Sequence, residues 1–281
     1  MKLLSVSGKN WIIKNYNQED LSFIKENFSL DEITSKLLSI RNIKKEEIKS
    51  FLNPSIKNFL PNPDILIDME KSTLRTVDAI FKDEKIGIFG DYDVDGAAAA
   101  ALLILAMRDL DVVCDVHIPD RFTEGYGPNT AALLALKEKG IDVIVLDHHQ
   151  SEVNLPKAFS VINPNRLDDK SNLQYLCAAG VSFMFLVSLN RALRSKKWFS
   201  TQNINEPNLI DYLDLVSLGT VCDVVPLVGL NRAIVKQGLK VIKSKKNLGL
   251  KTLLDICKVE SNPSIYHLGY LLGPRINAGG R

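Results

Sequence analysis

Three aspartates fall within five residues, at Asp91, Asp93 and Asp95, inside the segment GDYDVDG. The apolar segment before them predicts a strand, and the alanine-rich segment from Ala97 to Met107 predicts a helix. Carboxylates this close repel one another unless a cation lies between them. Because oxygen ligands favour magnesium or manganese over zinc, the group predicts a divalent-metal site. A solvated acidic turn is the alternative interpretation.

A second group, Asp147, His148 and His149, follows the apolar segment from Val143 to Leu146. A carboxylate and two adjacent imidazoles at the end of a strand can bind a metal and contact a phosphate at the same time. A purely structural role for the two histidines is the alternative.

Farther along the chain, Asp223 lies within the apolar run LGTVCDVVPL. An unpaired carboxylate is costly to bury, so we expect a metal or a cationic partner for it.

The elements that must position these groups alternate between apolar runs and helical patterns. Strands are predicted at 85–89, 112–118, 143–146 and 160–162, and helices at 97–107, 129–139, 177–193, 209–218 and 231–242. This alternation predicts an α/β fold with a doubly wound parallel sheet, in which ligands bind beyond the carboxyl ends of the strands. We expect an N-terminal helical preface at 1–68, the sheet domain at 69–225 and a C-terminal helical segment at 226–281.

Composition and charge fit a protein that folds around a substantial core. The longest apolar run, Ala97 to Met107, is too short to span a bilayer, and the first residues lack a secretory signal, so a cytoplasmic location without membrane contact is predicted. Four separated cysteines without a Cys-x-x-Cys pair predict neither a disulfide framework nor a zinc site. The net charge of +2 does not decide for or against nucleic acid, and the basic clusters at 191–197 and 240–246 fit solvated helix faces.

Taken together, DYDVDG, LDHH and the later Asp223 resemble the motifs of the DHH phosphoesterase superfamily. The surrounding segments narrow the resemblance to the RecJ exonucleases and extend it over nearly the whole chain. These segments are FLNP (51–54), LPNP (60–63), IPDRFTEGYG (118–127), INPN (162–165), GLNR (229–232) and GPRINAGGR (273–281).

The resemblance implies an exonuclease specific for single-stranded DNA that works 5′ to 3′, in recombination and in mismatch or base-excision repair. It implies a pair of manganese or magnesium ions held by Asp93, Asp95, Asp147, His148 and Asp223. His149 would face the scissile phosphate and Asp91 would support the ligands, so both are assigned to catalysis. The implied substrate contacts are Arg121, Tyr126, Arg275, Asn277 and Arg281. Single-stranded DNA is the expected partner, and the resemblance also suggests a single-strand-binding protein and a helicase.

The sequence departs from the RecJ pattern in two places. RecJ proteins carry, between the IPDRF and LDHH segments, a strand ending in T-V-D-x-G whose aspartate bridges the two metals. Here one helical pattern leads directly into the strand before Asp147, so a strand and a helix of roughly 20 residues are expected to be missing. The LDHH strand would then either move beside the DYDVDG strand or leave a gap. The chain also stops at Arg281, within a segment that in RecJ leads to a second catalytic domain and an oligonucleotide-binding fold.

Two other functions stay open on the sequence alone. Loss of the bridging aspartate favours a catalytically impaired or dead RecJ remnant that at most binds nucleic acid. A DHH-family phosphodiesterase for short oligonucleotides is the second alternative, and the FLNP and GPRINAGGR segments argue against it.

Overall fold

A computed structural model describes residues 3–12, 14–119, 134, 136 and 138–279. The chain forms two compact units, Met1–Pro54 and Ser55–Arg281. Residues 55–68 and 226–281 therefore group with the sheet-bearing part of the chain. The division into three domains at 68 and 225 stays a prediction. None of the helices in the described residues is long and apolar enough to cross a membrane.

The first unit is mainly helical, as the sequence predicts. Its elements are β1 (Leu3–Leu4), antiparallel to β2 (Asn10–Trp11), then α1 (Gln18–Phe28), α2 (Glu32–Ile40), a 3₁₀ turn (Lys45–Glu47) and α3 (Ile48–Leu52). Asn17 begins α1 and Asp31 begins α2, because each side chain accepts hydrogen bonds from backbone amides of the first turn. Ile24, Leu38 and Ile48 are buried together and form the core of this unit.

Where the structure describes it, the second unit contains two short parallel sheets surrounded by helices. Its strands are β3 (Ile86–Phe89), β4 (Cys114–His117), β5 (Ile144–Leu146) and β6 (Ser160–Ile162). The helices whose bounds lie in the described residues are α4 (Ile56–Phe59), α5 (Met69–Phe81), α6 (Val94–Asp109), α7 (Ala178–Ser195), α8 (Trp198–Gln202), α9 (Leu213–Cys222), α10 (Gly229–Lys243), α11 (Leu248–Ile256) and α12 (Gly273–Gly279). Shorter 3₁₀ turns occupy Pro63–Ile65 and Leu209–Tyr212, and a π-helical segment occupies His267–Leu272.

Parallel strand pairing confirms the predicted α/β class, but the sheet is divided. β3 pairs with β4, and β5 pairs with β6, both in parallel. Within the described residues, β3 and β5 share no backbone ladder, so the LDHH strand does not lie directly beside the DYDVDG strand. In the part of the chain that the structure describes, the strand pairing therefore does not match a move of the LDHH strand to the edge of β3. The helix predicted at 129–139 lies largely outside the described residues.

Helices α5, α6, α7, α9 and α10 pack against one another and supply most of the core. Leu102, Leu189 and Ile234 are fully buried there. Gly238 lets α10 approach α9 closely, because a Cβ atom on it would lie 1.7 Å from Oγ of Ser217. The result is a helical layer that fixes the position of Asp95 in the first turn of α6 and of Asp223 at the end of α9.

Candidate metal centre

The GDYDVDG segment forms the turn from β3 into α6. Asp93 begins the helix, since its Oδ1 accepts a hydrogen bond from the amide of Gly96 at 2.7 Å. Asp91 folds back on its own neighbour, with Oδ1 accepting from the amide of Tyr92 at 2.6 Å. A Cβ atom on Gly96 would lie 2.5 Å from Cβ of Asp91, so only glycine permits this turn. The turn therefore places the three aspartates at the carboxyl end of β3.

Asp95 is almost completely buried and contacts the start of a second helix. Its Oδ2 accepts a hydrogen bond from the amide of Ala178 at 2.6 Å, and its Oδ1 accepts from the amide of Ala179 at 2.9 Å. Both amides belong to the first turn of α7, whose positive end favours a carboxylate. Burial nevertheless raises the pKa of Asp95 above its ordinary value. A further positive group near this carboxylate would thus be favourable.

The carboxylate of Asp147 organises the loop after β5. Its Oδ1 accepts from the amides of His148 and His149, at 2.7 and 3.1 Å, and lies 2.7 Å from Nδ1 of His149. Burial raises the pKa of Asp147, but the hydrogen bonds from His149 and from the backbone outweigh it, so this pKa lies below the ordinary value. Burial lowers the pKa of His149, but its bond to Asp147 and the nearby carboxylates raise it overall. Both shifts favour the charged forms, a carboxylate on Asp147 beside an imidazolium on His149.

His148 lies between two carboxylates from separate helices. Its Nε2 is 3.5 Å from Oδ2 of Asp95, and its Nδ1 is 3.5 Å from Oδ2 of Asp223. Asp223 ends α9, and its Oδ2 is buried without a hydrogen-bond partner. Burial raises the pKa of Asp223 to about 6, with the charges of Asp95 and Asp93 adding to the effect.

One atom from each of Asp95, His148 and Asp223 lies within 4.8 Å of the others, and this is the one such group of potential metal ligands among the described residues. Two carboxylate oxygens and an imidazole nitrogen are suitable ligands for manganese, and for magnesium with more oxygen ligands. A cation here would also satisfy the buried oxygen of Asp223 and offset the burial of Asp95. The residues present therefore fit a divalent metal ion.

Not every residue singled out in the sequence joins this cluster. The charge of Asp93 influences both Asp223 and His149, so Asp93 lies nearby. Arg275 is exposed on α12 and donates to the carbonyl of Leu271 in the preceding turn. Asn277 is exposed on the same helix. Arg121, Tyr126 and Arg281 lie outside the described residues. The roles assigned to all these residues stay predictions.

Two asparagines at this site had no assigned role in the sequence. Asn163 and Asn165 follow the carboxyl end of β6, and their side-chain amides donate to the backbone carbonyls of His149 and His148, at 2.9 and 2.5 Å. In the sequence, the INPN segment (162–165) contributes to the family resemblance but predicts no role at the site for either asparagine. Polar residues directly after a predicted parallel strand were the signal that could have indicated a place at the site.

Known proteins are similar to this chain in sequence and in fold. The model of the DHH family, N-terminal domain, matches residues 85–220. The single-stranded-DNA-specific exonuclease RecJ of Escherichia coli is 37% identical over 257 residues, covering 82% of this chain and 44% of the relative. RecJ of Bacillus subtilis is 29% identical over 303 residues, covering 98% of this chain and 36% of the relative. The chain thus spans less than half the length of these curated relatives.

Solved RecJ structures have the same fold. The crystal structure of RecJ from Thermus thermophilus in complex with Mn²⁺ matches with a TM-score of 0.73 at 26% identity, covering 95% of this chain and 40% of that one. A crystal structure of exonuclease RecJ bound to manganese matches with a TM-score of 0.64 at 28% identity, covering 76% of this chain and 58% of that one.

The alignments to relatives are longer than the part of this chain that they cover. The Escherichia coli alignment has 257 positions, but 82% of 281 residues is only about 230. The Bacillus subtilis alignment has 303 positions against about 275 residues here. In each case about 27 or 28 positions of the relative have no counterpart in this chain. This number is close to the size of the strand and helix expected to be missing.

Proposed function

Because the chain is a RecJ-like member of the DHH family, we propose that it supplies the metal-binding half of an exonuclease that hydrolyses single-stranded DNA from the 5′ end, in recombination and repair. The observation that carries this proposal is the position of His148, 3.5 Å from a carboxylate oxygen of Asp95 and 3.5 Å from one of Asp223. That oxygen of Asp223 is buried and accepts no hydrogen bond, which supports a cation at the same place.

Two manganese or magnesium ions are proposed as cofactors. Asp95, His148 and Asp223 would hold one ion, and Asp93 and Asp147 would contribute to the second. When bound, such ions activate a water molecule and offset the negative charge of the phosphodiester during hydrolysis. The protein's own contribution is to hold these five side chains at the carboxyl ends of β3 and β5 and at the end of α9. Asp91 would help to hold the turn that carries Asp93.

His149 is the residue most suited to contact the scissile phosphate. Its side chain is 60% exposed, and Nδ1 faces Asp147, which leaves Nε2 for an external acceptor. The raised pKa of His149 favours the imidazolium form, which donates from both ring nitrogens. His149 would thus donate a charge-assisted hydrogen bond from Nε2 to a phosphate oxygen.

Single-stranded DNA is the proposed partner of the surface around this centre. The proposed contacts are Arg121, Tyr126, Arg275, Asn277 and Arg281. Arginines suit phosphate groups because a guanidinium can donate two parallel hydrogen bonds, and a tyrosine ring can stack on a base. A single-strand-binding protein and a helicase are proposed as further partners.

The proposal is tested by manganese-dependent release of nucleotides from a 5′-labelled single-stranded oligonucleotide. Activity that is lost in Asp93→Ala and kept in Asp255→Ala would support it, because Asp255 is an exposed aspartate whose partner is Lys245. Adding chelator should abolish the release. Cleavage of dinucleotides but not of longer strands would instead favour a phosphodiesterase for short oligonucleotides.

A second candidate is a remnant that binds metal and nucleic acid without turnover. It is favoured by the shortfall of about 27 positions against the Escherichia coli relative and by the missing ladder between β3 and β5 in the described residues. Manganese binding without nucleotide release in the same experiment would support this candidate, since coupled ions must lie at the correct separation for hydrolysis.

A further inference from the structure

Asn163 is buried directly after β6 and contacts the loop that carries both histidines. It is 3% exposed, and its Nδ2 donates to the carbonyl of His149 at 2.9 Å and to Oδ2 of Asp147 at 3.3 Å. Strand pairing sets this contact, because Leu146 lies opposite Ile162 and the amide of Asp147 donates to the carbonyl of Ile162 at 3.0 Å. Asn163 is therefore held beside the metal-binding loop by the register of β5 and β6.

Asn165 makes the equivalent contact one peptide earlier. Its Nδ2 donates to the carbonyl of His148 at 2.5 Å and approaches the carbonyl of Gln174 at 3.4 Å. The turn between the two asparagines is closed separately, by the amide of Asn165 donating to Oδ1 of Asn163 at 2.8 Å. Oδ1 of Asn163 thus closes the turn between the two asparagines. Nδ2 of each asparagine instead donates to a histidine carbonyl.

Arg166 anchors this pair of asparagines. Its side chain is 7% exposed, and Nη1 donates to Oδ2 of Asp68 at 2.9 Å and to the carbonyl of Val161 at 2.6 Å. Nε and Nη2 bind both oxygens of Asp168, at 2.9 and 2.8 Å. Asp68 begins α5, so the guanidinium ties the turn after β6 to that helix. A buried arginine that donates from all three of its nitrogens restricts the motion of the residues around it.

We propose that Asn163 and Asn165 are positioning residues, which hold the peptide planes of His148 and His149 in the orientation that the metal centre needs. Fixing both carbonyls restricts the backbone dihedrals that direct the two imidazoles. Such outer contacts commonly change metal affinity 10–100-fold when removed. The expected effect on metal binding rests on the proposed function. The hydrogen bonds that hold the loop are a property of the metal-free protein.

Two measurements on the full chain test the proposal. The first is hydrogen exchange of the His148 and His149 amides without metal, in Asn163→Ala, Asn165→Ala and the isosteric Asn165→Asp, which lacks the amide donor. The second is Mn²⁺ affinity, measured by electron paramagnetic resonance. Asn190→Ala is the matched control, because Asn190 is 5% exposed and its amide donates to Glu206 and to the carbonyl of Pro207, away from the histidines.

We expect exchange at the two histidine amides to accelerate by about 10-fold or more in the Asn163 and Asn165 variants, and Mn²⁺ affinity to fall by about 10–100-fold. Asn190→Ala should change neither quantity. Unchanged exchange in folded Asn163→Ala and Asn165→Asp would overturn the proposal. Faster exchange with unchanged Mn²⁺ affinity would also overturn it, since the asparagines would then be structural only. If the unaltered chain binds no Mn²⁺, the proposed function fails, and exchange alone decides whether the loop is held.

Discussion

Nε of Arg75 donates a hydrogen bond to Oδ2 of Asp142 at 2.7 Å, and Nη2 of the same guanidinium donates to Oε2 of Glu84 at 2.6 Å. Asp142 precedes β5 and Glu84 precedes β3, so one side chain from α5 links the amino ends of two strands that share no ladder in the described residues. At the carboxyl ends, Asp95 and His148 approach each other to 3.5 Å. Side chains therefore connect the two short sheets at both ends.

Replacing Arg75 by methionine should weaken this connection. The variant keeps the apolar stem but leaves Asp142 and Glu84 without the guanidinium, and we expect the free energy of unfolding to fall by about 1–2 kcal/mol. The arginine side chain is 23% exposed, which keeps the loss moderate. Urea unfolding measures it. Arg108→Met is the control, since Arg108 is 69% exposed and pairs with its neighbour Asp109, and it should cost less than about 0.5 kcal/mol. Equal losses in both variants would contradict a linking role for Arg75.

Gly219 is required for the approach of α9 to Asp95. A Cβ atom at this position would lie 2.6 Å from Oδ1 of Asp95 and 2.8 Å from Cβ of Ala179. Gly219→Ala should therefore lower the free energy of unfolding by about 1–3 kcal/mol and strongly reduce Mn²⁺ affinity. Thermal unfolding and Mn²⁺ titration would measure the two effects.

Gly249→Ala is the matched control for that substitution. Gly249 lies in α11, and the nearest atom to an added Cβ is Oδ1 of Asn247 at 3.4 Å. Alanine is accommodated there and is a better helix former, so this variant should gain up to about 1 kcal/mol with no change in Mn²⁺ affinity. A similar loss of Mn²⁺ affinity in both variants would show that the close packing at Gly219 does not determine this affinity.

The sequence was sufficient to predict the local elements and most of their order. Apolar runs at 85–89 and 160–162 became strands because their hydrophobic periodicity is a local property. The sequence predicts two possible arrangements of the sheet, because pairing between strands distant in sequence depends on which helices fill the space between them. Arg75 gave no signal at all, since its role depends on two carboxylates that come together only in the folded chain.

The sequence also predicts only part of the candidate site, because some of its contacts form only in the folded chain. Asp95, His148 and Asp223 were found because ligand-type residues stand out after strands and in apolar runs, and the structure brings them together. The sequence predicts Asp93 as a ligand. In the structure its Oδ1 also accepts a hydrogen bond from the amide of Gly96 at the start of α6. Asn163 was overlooked because the direction of an amide group cannot be deduced from spacing.

The raised pKa of Asp223 predicts how the metal-free protein responds to pH. Its pKa is about 6 in the folded chain against an ordinary value of 3.8, so the folded state binds the proton more tightly than the unfolded state. The carboxylate therefore costs stability above pH 6, the cost falls as pH decreases from 6 towards 4, and it is absent below the unfolded pKa. A shift of this size corresponds to about 1–3 kcal/mol.

Asp223→Asn removes that titration. With chelator present, the difference in unfolding free energy between Asp223→Asn and the unaltered chain should increase by about 1–3 kcal/mol in favour of the variant between pH 4 and pH 7. Urea unfolding at several pH values measures it, and carboxyl groups distant from Asp223 cancel in the difference. A difference that does not vary with pH would mean that burial does not raise the pKa of Asp223.

The two adjacent histidines should separate metal binding from turnover. His148 is 13% exposed and lies between Asp95 and Asp223, whereas His149 is 60% exposed. His148→Ala should therefore lower Mn²⁺ affinity by about 10²-fold or more, because it removes a ligand from the centre of the cluster. His149→Ala should change Mn²⁺ affinity only a few-fold, yet lower nucleotide release by about 10²–10³-fold, as expected when one hydrogen-bond donor to a developing negative charge is lost. His267→Ala, whose ring bonds Ser264, is the control for loss of an imidazole. Loss of Mn²⁺ binding in His149→Ala but not in His148→Ala would reverse the two assignments, and equal loss in both would mean that the loop acts as one unit.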